Sequence, residues 1–409
     1  MTDVMRSEAG GRGLRGRVEE RLGRGNRSPL GLWFWEIDRV LLLLALLLIG
    51  IGLVAVAAAS PASAVRYSDT AKSFPPMYYF YRQAIWVFLS IPVMLVVSMM
   101  PTLVARRFAL TGAGIMLLLL AIVPFIGDEK NGARRWIGLG FTQFQPSEFL
   151  KPFFVVAIAW LLSLRARDPD LPLFPITMAL TGLIGGLLML QPDFGQTVVF
   201  VTVWVTMLLI AGTSPKVIGA LGGVGLGGIV AAYFLYNTAR VRIDAFLFPD
   251  PDKAMSDHYQ TDMAHAVITG GGFTGTGPGG GMVKFKLPEA HTDYIYSVIG
   301  EEFGLIACMI VAVLFLALVV RVFVKLLDEE DAFRLFAASG LAVQFGLQAL
   351  INMAVNTGIA PSKGMTLPFI SYGGSSMIAL SIGFGLLLAF TRRNPYLKRS
   401  PYSVRLNRP

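Results

Sequence analysis

The chain has 409 residues, of which 54% are hydrophobic and 15% charged, and its mean hydropathy is +0.62. A soluble chain needs about 25% charged residues to cover its surface, so cytosolic enzymes, secreted disulfide scaffolds and coiled coils are excluded. An all-α, polytopic membrane protein is expected. The single cysteine, Cys308, allows no intramolecular disulfide. The net charge of +9 reflects topology and anionic lipid in such a protein, and no nucleic-acid partner is expected.

Residues 1–38 form a Gly- and Arg-rich segment expected to be a disordered cytoplasmic tail. The sequon Asn26-Arg27-Ser28 falls within it and is read as chance. The membrane domain spans 39–391, and 392–409 is a second basic tail. A span needs roughly 20 apolar residues. Ten runs qualify, near 39–59, 83–103, 108–126, 148–164, 172–190, 196–212, 216–236, 295–322, 333–357 and 371–391. The first ends close to Ala62-Ser63-Ala64, which resembles a signal-peptidase site. Its apolar run and the segment before it are too long for a signal peptide, so it is read as an anchor. Placing the N-terminus in the cytoplasm puts 22 Lys and Arg on that side against 12 on the other, which makes both termini cytoplasmic.

Residues 237–294 form one long extracytoplasmic loop. It holds all three histidines (His258, His265 and His291), several acids and the aromatics Phe246, Phe248, Tyr259, Phe273 and Phe285. That content points to an ordered lid over a cavity. Its histidines and acids match no zinc motif. Residues 270–281 contain eight glycines. The segment fits G-x-G-x-x-G without the strand and helix a dinucleotide site needs. It is either a flexible tether or a loop whose amides approach a phosphate.

Polar residues inside the spans are costly and face the bundle interior or water. Glu148 and Lys151 share a helix face, as a structural ion pair or as part of a cavity. Gln344, Gln348, Asn352 and Asn356 form a stripe that joins helices or lines a cavity. Glu301 and Glu302 need partners, water or a cation. A helix starting near Thr292 would turn Asp293 and Glu301 to one side and Glu302 away.

Four long motifs then carry a resemblance. They are Asn131-Gly132-Ala133-Arg134-Arg135-Trp136-Ile137 with Phe144-Gln145-Pro146-Ser147-Glu148, and Gln191-Pro192-Asp193-Phe194-Gly195. The third is Leu287-Pro288-Glu289-Ala290-His291-Thr292-Asp293, continuing to Gly300-Glu301-Glu302-Phe303-Gly304. The fourth runs from Pro361-Ser362-Lys363-Gly364-Met365-Thr366-Leu367-Pro368 to Gly373-Gly374-Ser375-Ser376. In this order they resemble the SEDS family of bacterial shape, elongation, division and sporulation proteins. The wording is closer to its division members than to its elongation members. The resemblance spans Asp38 to Pro395.

The resemblance implies a peptidoglycan glycosyltransferase that polymerises lipid II in the cytoplasmic membrane, at the division septum. It also implies a class B penicillin-binding protein as transpeptidase partner, beside other division proteins. Asp293 matches the family's essential acid, and a sugar hydroxyl needs a general base at pH 7. His291 and Glu289 are expected to orient that acid or tune its pKa. Arg134, Arg135, Lys363, Arg240 and Arg242 are the cations expected to meet a leaving pyrophosphate, alone or with a divalent ion, Mg or Mn. Lys151 and Glu148 are expected to shape the cavity floor, and Glu301 to bind substrate or support the site. Met263 and Ala264 depart from the family's usual Gln and Ser, so ligand contacts there do not carry over. A lipid II flippase and a scaffold that recruits a transpeptidase are the alternatives.

Overall fold

The computed structural model describes residues 29–68, 73–130, 133–138, 143–166, 168, 170–236, 240–241, 243–244, 248, 257–361 and 364–392. A short helix α1 (Pro29–Glu36) leads into α2 (Arg39–Tyr67), α3 (Tyr78–Ser98) and α4 (Thr102–Ile126). Three small strands follow: β1 (Asp128–Lys130), β2 (Ala133–Gly138) and β3 (Gln143–Phe144). Then come α5 (Pro146–Ser163), α6 (Leu173–Leu190), α7 (Phe194–Ile210), α8 (Pro215–Leu235) and α9 (Asp257–Gly270). The chain closes with α10 (Ile295–Leu326), α11 (Ala332–Asn356) and α12 (Gly374–Thr391).

Among the described residues nine helices are long and apolar enough to cross a membrane, and α7 is a shorter apolar helix. Together they match the ten expected runs, and the chain is a multi-pass membrane protein. Several edges differ from the sequence reading. The second helix stops at Ser98 because Pro101 disfavours helix at the residue before it. The first runs on through Pro61 and the signal-like Ala62-Ser63-Ala64 to Tyr67. Pro29–Glu36, inside the expected disordered tail, is helical, and the Trp33 indole donates to Ser98 Oγ at 2.8 Å. The antiparallel β1-β2-β3 sheet is an addition to the all-α expectation; β1 and β3 have three and two residues, and the burial of β2 does not alternate, so no period-2 signal marks it.

Helices α5, α11 and α12 form the centre. Of the residues of α5 and α12, 83% and 78% are buried, whereas none of α8 is. Helix α8 packs mainly on α7. A Cβ on Gly219, Gly222, Gly223, Gly225, Gly227 or Gly228 would meet nothing within 4 Å, so these glycines do not pack within the bundle.

One end of the bundle gathers both ends of the membrane domain. Asp38 caps α2 by accepting the Val40 and Leu41 amides, and it pairs with Arg321 and Lys325, each at 3.0 Å. Lys325 donates to Thr391 O, Arg334 to Phe390 O, and Arg392 to the Met99 and Met100 carbonyls. The long loop lies at the opposite end.

That loop returns into the bundle by way of a broken helix. Within α10, Gly304 has φ 78° and ψ 179°, a conformation that glycine alone adopts without strain. The break frees carbonyls and amides of α10, and freed backbone groups at membrane depth must find partners. The glycine-rich segment supplies them. Thr276 N and Gly277 N donate to the carbonyls of Glu301 and Glu302, while Leu305 N and Ile306 N donate to Gly272 O and Phe273 O. A Cβ on Gly275 would stand 2.1 Å from Glu302 O. The glycines therefore permit this approach, which excludes the tether reading. The amides of Thr276 and Gly277 are engaged by α10 and are not available to a phosphate.

Candidate functional site

The loop ends in a tight turn that carries the acid singled out from sequence. Glu289 adopts a left-handed backbone, φ 51°, and its carbonyl accepts the amides of Thr292 and Tyr294. Its carboxylate accepts the Tyr67 hydroxyl at 2.8 Å and the Thr292 hydroxyl at 2.7 Å. His291 is buried. Its Nδ1 lies 2.9 Å from Ser63 Oγ, and its ring packs against Tyr67, Tyr79 and Tyr372. Burial lowers its pKa to about 4, against the opposing pull of the Glu289 charge, so the ring is neutral at pH 7.

Asp293 stands between these anchors, just before the first residue of α10, and is partly accessible. Its carbonyl accepts Asn352 Nδ2 at 2.8 Å and Asn356 Nδ2 at 3.0 Å. Asn356 Oδ1 in turn accepts the amide and hydroxyl of Ser297 in the first turn of α10. A Cβ on Gly364 would lie 3.1 Å from Asp293 Oδ2, so the glycine leaves room for the carboxylate. The Asp293 pKa is pushed up to about 7, first by burial and then by the charges of Glu289 and Glu148. A carboxyl group held there can take up and release a proton near neutrality.

A buried polar chain extends from this point across the bundle. Gln348 donates to Thr366 O and accepts Lys151 Nζ at 3.2 Å. Lys151 pairs with Glu148 at 2.8 Å. Glu148 accepts Gln196 Nε2 at 2.7 Å. Asp193 caps α7 through the Gln196 amide and accepts Gln145 Nε2 at 3.4 Å. Arg135 donates to the carbonyls of Gln191 and Pro192 and lies 4.0 Å from Asp193. With Asn352, which bonds both Asp293 O and Met365 O, this chain joins all four sequence motifs.

Comparison with known proteins gives the family. The family model described as "Cell cycle protein", which groups FtsW, RodA and SpoVE, matches residues 38–396. The chain belongs to that family. A Caulobacter vibrioides relative, a probable peptidoglycan glycosyltransferase FtsW, is 39% identical over 91% of this chain and 93% of its own length. A Geobacter sulfurreducens relative of the same description is 37% identical over 91% of this chain and 100% of its own. Among solved structures, a chain from a peptidoglycan synthase complex in which polymerization and crosslinking are coordinated aligns with TM-score 0.71 and 29% identity. It covers 87% of this chain and 97% of its own. The Thermus thermophilus rod shape determining protein RodA aligns with TM-score 0.62 and 27% identity over 87% of this chain and 96% of its own.

Within this member of the FtsW, RodA and SpoVE family, the expected site residues divide. Asp293, Glu289, Glu148 and Lys151 share one electrostatic neighbourhood. His291 belongs to the same turn but bonds to Ser63, not to Asp293. Arg135 reaches the polar chain at its far end. Arg134 is exposed and pairs with Glu129 at 3.3 Å, and Arg240 is exposed and pairs with Asp244 at 3.5 Å. Arg242 and Lys363 lie outside the described residues. Glu301 does not face Asp293: its carboxylate accepts the amides of Val283 at 2.7 Å and Lys284 at 3.0 Å. The difference arises because α10 starts at Ile295, three residues later than the start at Thr292. Among the described residues no three His, Cys, Asp or Glu side chains converge as a metal-ligand set.

Ser63, Tyr67, Tyr79, Gln196 and Lys284 carry parts of the site or its support that the sequence reading missed. Gln196 adjoins the Gln191–Gly195 motif and could have been found there. Ser63 and Tyr67 lie 228 and 222 residues from their partners, and no local pattern marks such a pairing.

Proposed function

We propose that this chain polymerises lipid II into peptidoglycan glycan strands at the outer face of the cytoplasmic membrane, for septal wall synthesis in cell division, with Asp293 as general base. The observation that carries the reading is Asp293 itself: a partly accessible carboxyl group whose pKa is raised to about 7, fixed in a turn at the loop-bearing end of the bundle. Family membership and the named relatives support the polymerase activity. The excess of Lys and Arg at the opposite end supports cytoplasmic termini.

In the reaction a sugar hydroxyl of lipid II attacks the anomeric carbon of the growing strand. The carboxylate of Asp293 takes the hydroxyl proton as the new glycosidic bond forms. The bond from the anomeric carbon to the pyrophosphate oxygen breaks, polyprenyl pyrophosphate leaves, and the configuration inverts in one displacement. Glu289 and His291 act on the turn: one holds it through Tyr67 and Thr292, the other through Ser63. Arg134, Arg135 and Arg240 are committed to other partners. The exposed Arg66 and Lys286, which adjoin the Tyr67–Glu289 contact and touch through Arg66 Nη1 and Lys286 O, are the cations assigned to the leaving pyrophosphate. No three His, Cys, Asp or Glu side chains converge among the described residues, and no step is routed through a metal ion. A class B penicillin-binding protein is the expected partner for cross-linking.

The test is purified protein with lipid II, with and without that transpeptidase, followed by gel separation of glycan strands. Polymer from the wild type and none from Asp293→Asn supports the reading. Transport of lipid II across vesicles without polymer would replace it with the flippase.

A further inference from the structure

The segment that carries Asp293 is closed on itself at its base. Val283 N and Lys284 N donate to the two oxygens of Glu301. The Lys284 ammonium pairs with Glu302 and also donates to Ala58 O of α2 at 3.0 Å. The second oxygen of Glu302 accepts Gly279 N at 3.0 Å. Lys284 and Glu302 are almost wholly buried, at 1% and 0% side-chain exposure. Asp293 lies nine residues after the one and nine before the other. Residues 284–302 are therefore a strap whose two ends are pinned by a buried ion pair and whose midpoint is the reacting acid.

We propose that Lys284 and Glu302, assisted by Glu301, are positioning residues that set where Asp293 stands relative to its substrate. The proposal rests on the reading of Asp293 as general base. A buried ion pair is a poor source of net stability, because desolvation of both charges offsets their attraction. Its attested use is to fix register. Here it fixes the register of the returning loop against α10 just before the break at Gly304. In that stretch the helix lacks part of its own hydrogen-bond ladder and takes its place from bonds to the returning loop. A slip at the base would displace Asp293 at the tip. Displacement of a reacting group by about 1 Å costs on the order of 100-fold in rate. Neither Lys284 nor Glu302 touches Asp293, so the effect acts through the strap alone.

Lipid II polymerisation is measured on purified, detergent-folded protein, with kcat normalised to folded material and melting temperature recorded. Lys284→Met or Glu302→Gln alone leaves a buried group without its partner and lowers folded yield. The double variant Lys284→Met/Glu302→Gln removes both charges, keeps an acceptor for Gly279 N and restores yield. It is expected to melt like the wild type while kcat falls between about 10-fold and 100-fold and KM stays within about twofold. Wild-type kcat in the folded double variant overturns the proposal and leaves the pair a stabilising contact only. Gly281→Ala gives a second route if the double variant does not fold. Both charges remain, but its Cβ would stand 2.7 Å from Glu301 Cδ and push on the base of the strap. It is expected to lower kcat with unchanged KM, and full activity in it also overturns the proposal. Polymer from the wild type is scored first, so absence of polymer there counts against the general-base reading itself, separately from the variants.

Discussion

Two groups of acids lie at helix ends or within apolar helices of this protein, and they end in opposite chemical states. Glu301 and Glu302 are enclosed by amides of the glycine-rich segment and by Lys284, and their acceptor capacity is engaged by the chain. Glu148 is also paired, to Lys151 and Gln196. The polar chain it belongs to leads to Asp293, whose carboxylate has no hydrogen-bond partner among the described residues and is partly accessible. An acid at membrane depth is thus no marker of chemistry by itself. What separates the two groups is the capacity left over after the fold has used what it needs.

The widest separation between them comes from removing each carboxylate. Asp293→Asn should lower polymerisation at least about 100-fold, the scale of losing a general base, with folded yield and melting temperature unchanged in detergent. A yield loss without a specific rate loss would erase the distinction. Glu302→Ala should fail first in folding, in addition to any loss of rate. It strands the Lys284 ammonium in the bundle, and breaking a buried pair costs about 3–5 kcal/mol, read as a lower melting temperature and lower membrane yield.

A finer test uses pH. Asp293 acts as the carboxylate, so activity is present above its pKa and is lost as pH falls through it. With that pKa at about 7, the acid limb of kcat/KM for the wild type should have its midpoint near neutrality. Glu289→Gln removes a negative charge that raises the pKa, so the midpoint should move to lower pH. A limb that moves up, or stays, contradicts the electrostatic account. The smallest effects belong to cations outside both groups. Arg134→Ala and Arg240→Ala break exposed pairs worth at most about 1 kcal/mol, and polymerisation should stay within about twofold in each.

Much of the architecture was legible because it depends on local composition. A run of about 20 apolar residues has no stable alternative to a membrane helix, and ten such runs became ten helices. The Glu148–Lys151 pair followed from its i,i+3 spacing, and the stripe on α11 from its four-residue period. Three of that stripe's members, Gln348, Asn352 and Asn356, hold backbone at Thr366, Met365 and Asp293. The motif ending in Asp293 pointed to the acid proposed as general base.

The partners of those acids were decided only in three dimensions. Whether Glu301 faced Asp293 or the returning loop turned on a helix start three residues later than expected and on a glycine break that demanded outside hydrogen bonds. The cations expected at the site dispersed for a similar reason: Arg134 and Arg240 had acids within five residues that claimed them first. Ser63 and Tyr67 reached the turn that carries Asp293 across more than 200 residues of chain. The sequence by itself therefore determined the helices and named the acid, because apolar length and short spacing act within a single element. Only the tertiary structure decided which polar groups are consumed and which stay open, because a hydrogen-bond partner brought in by a loop closure leaves no trace in the period of the chain.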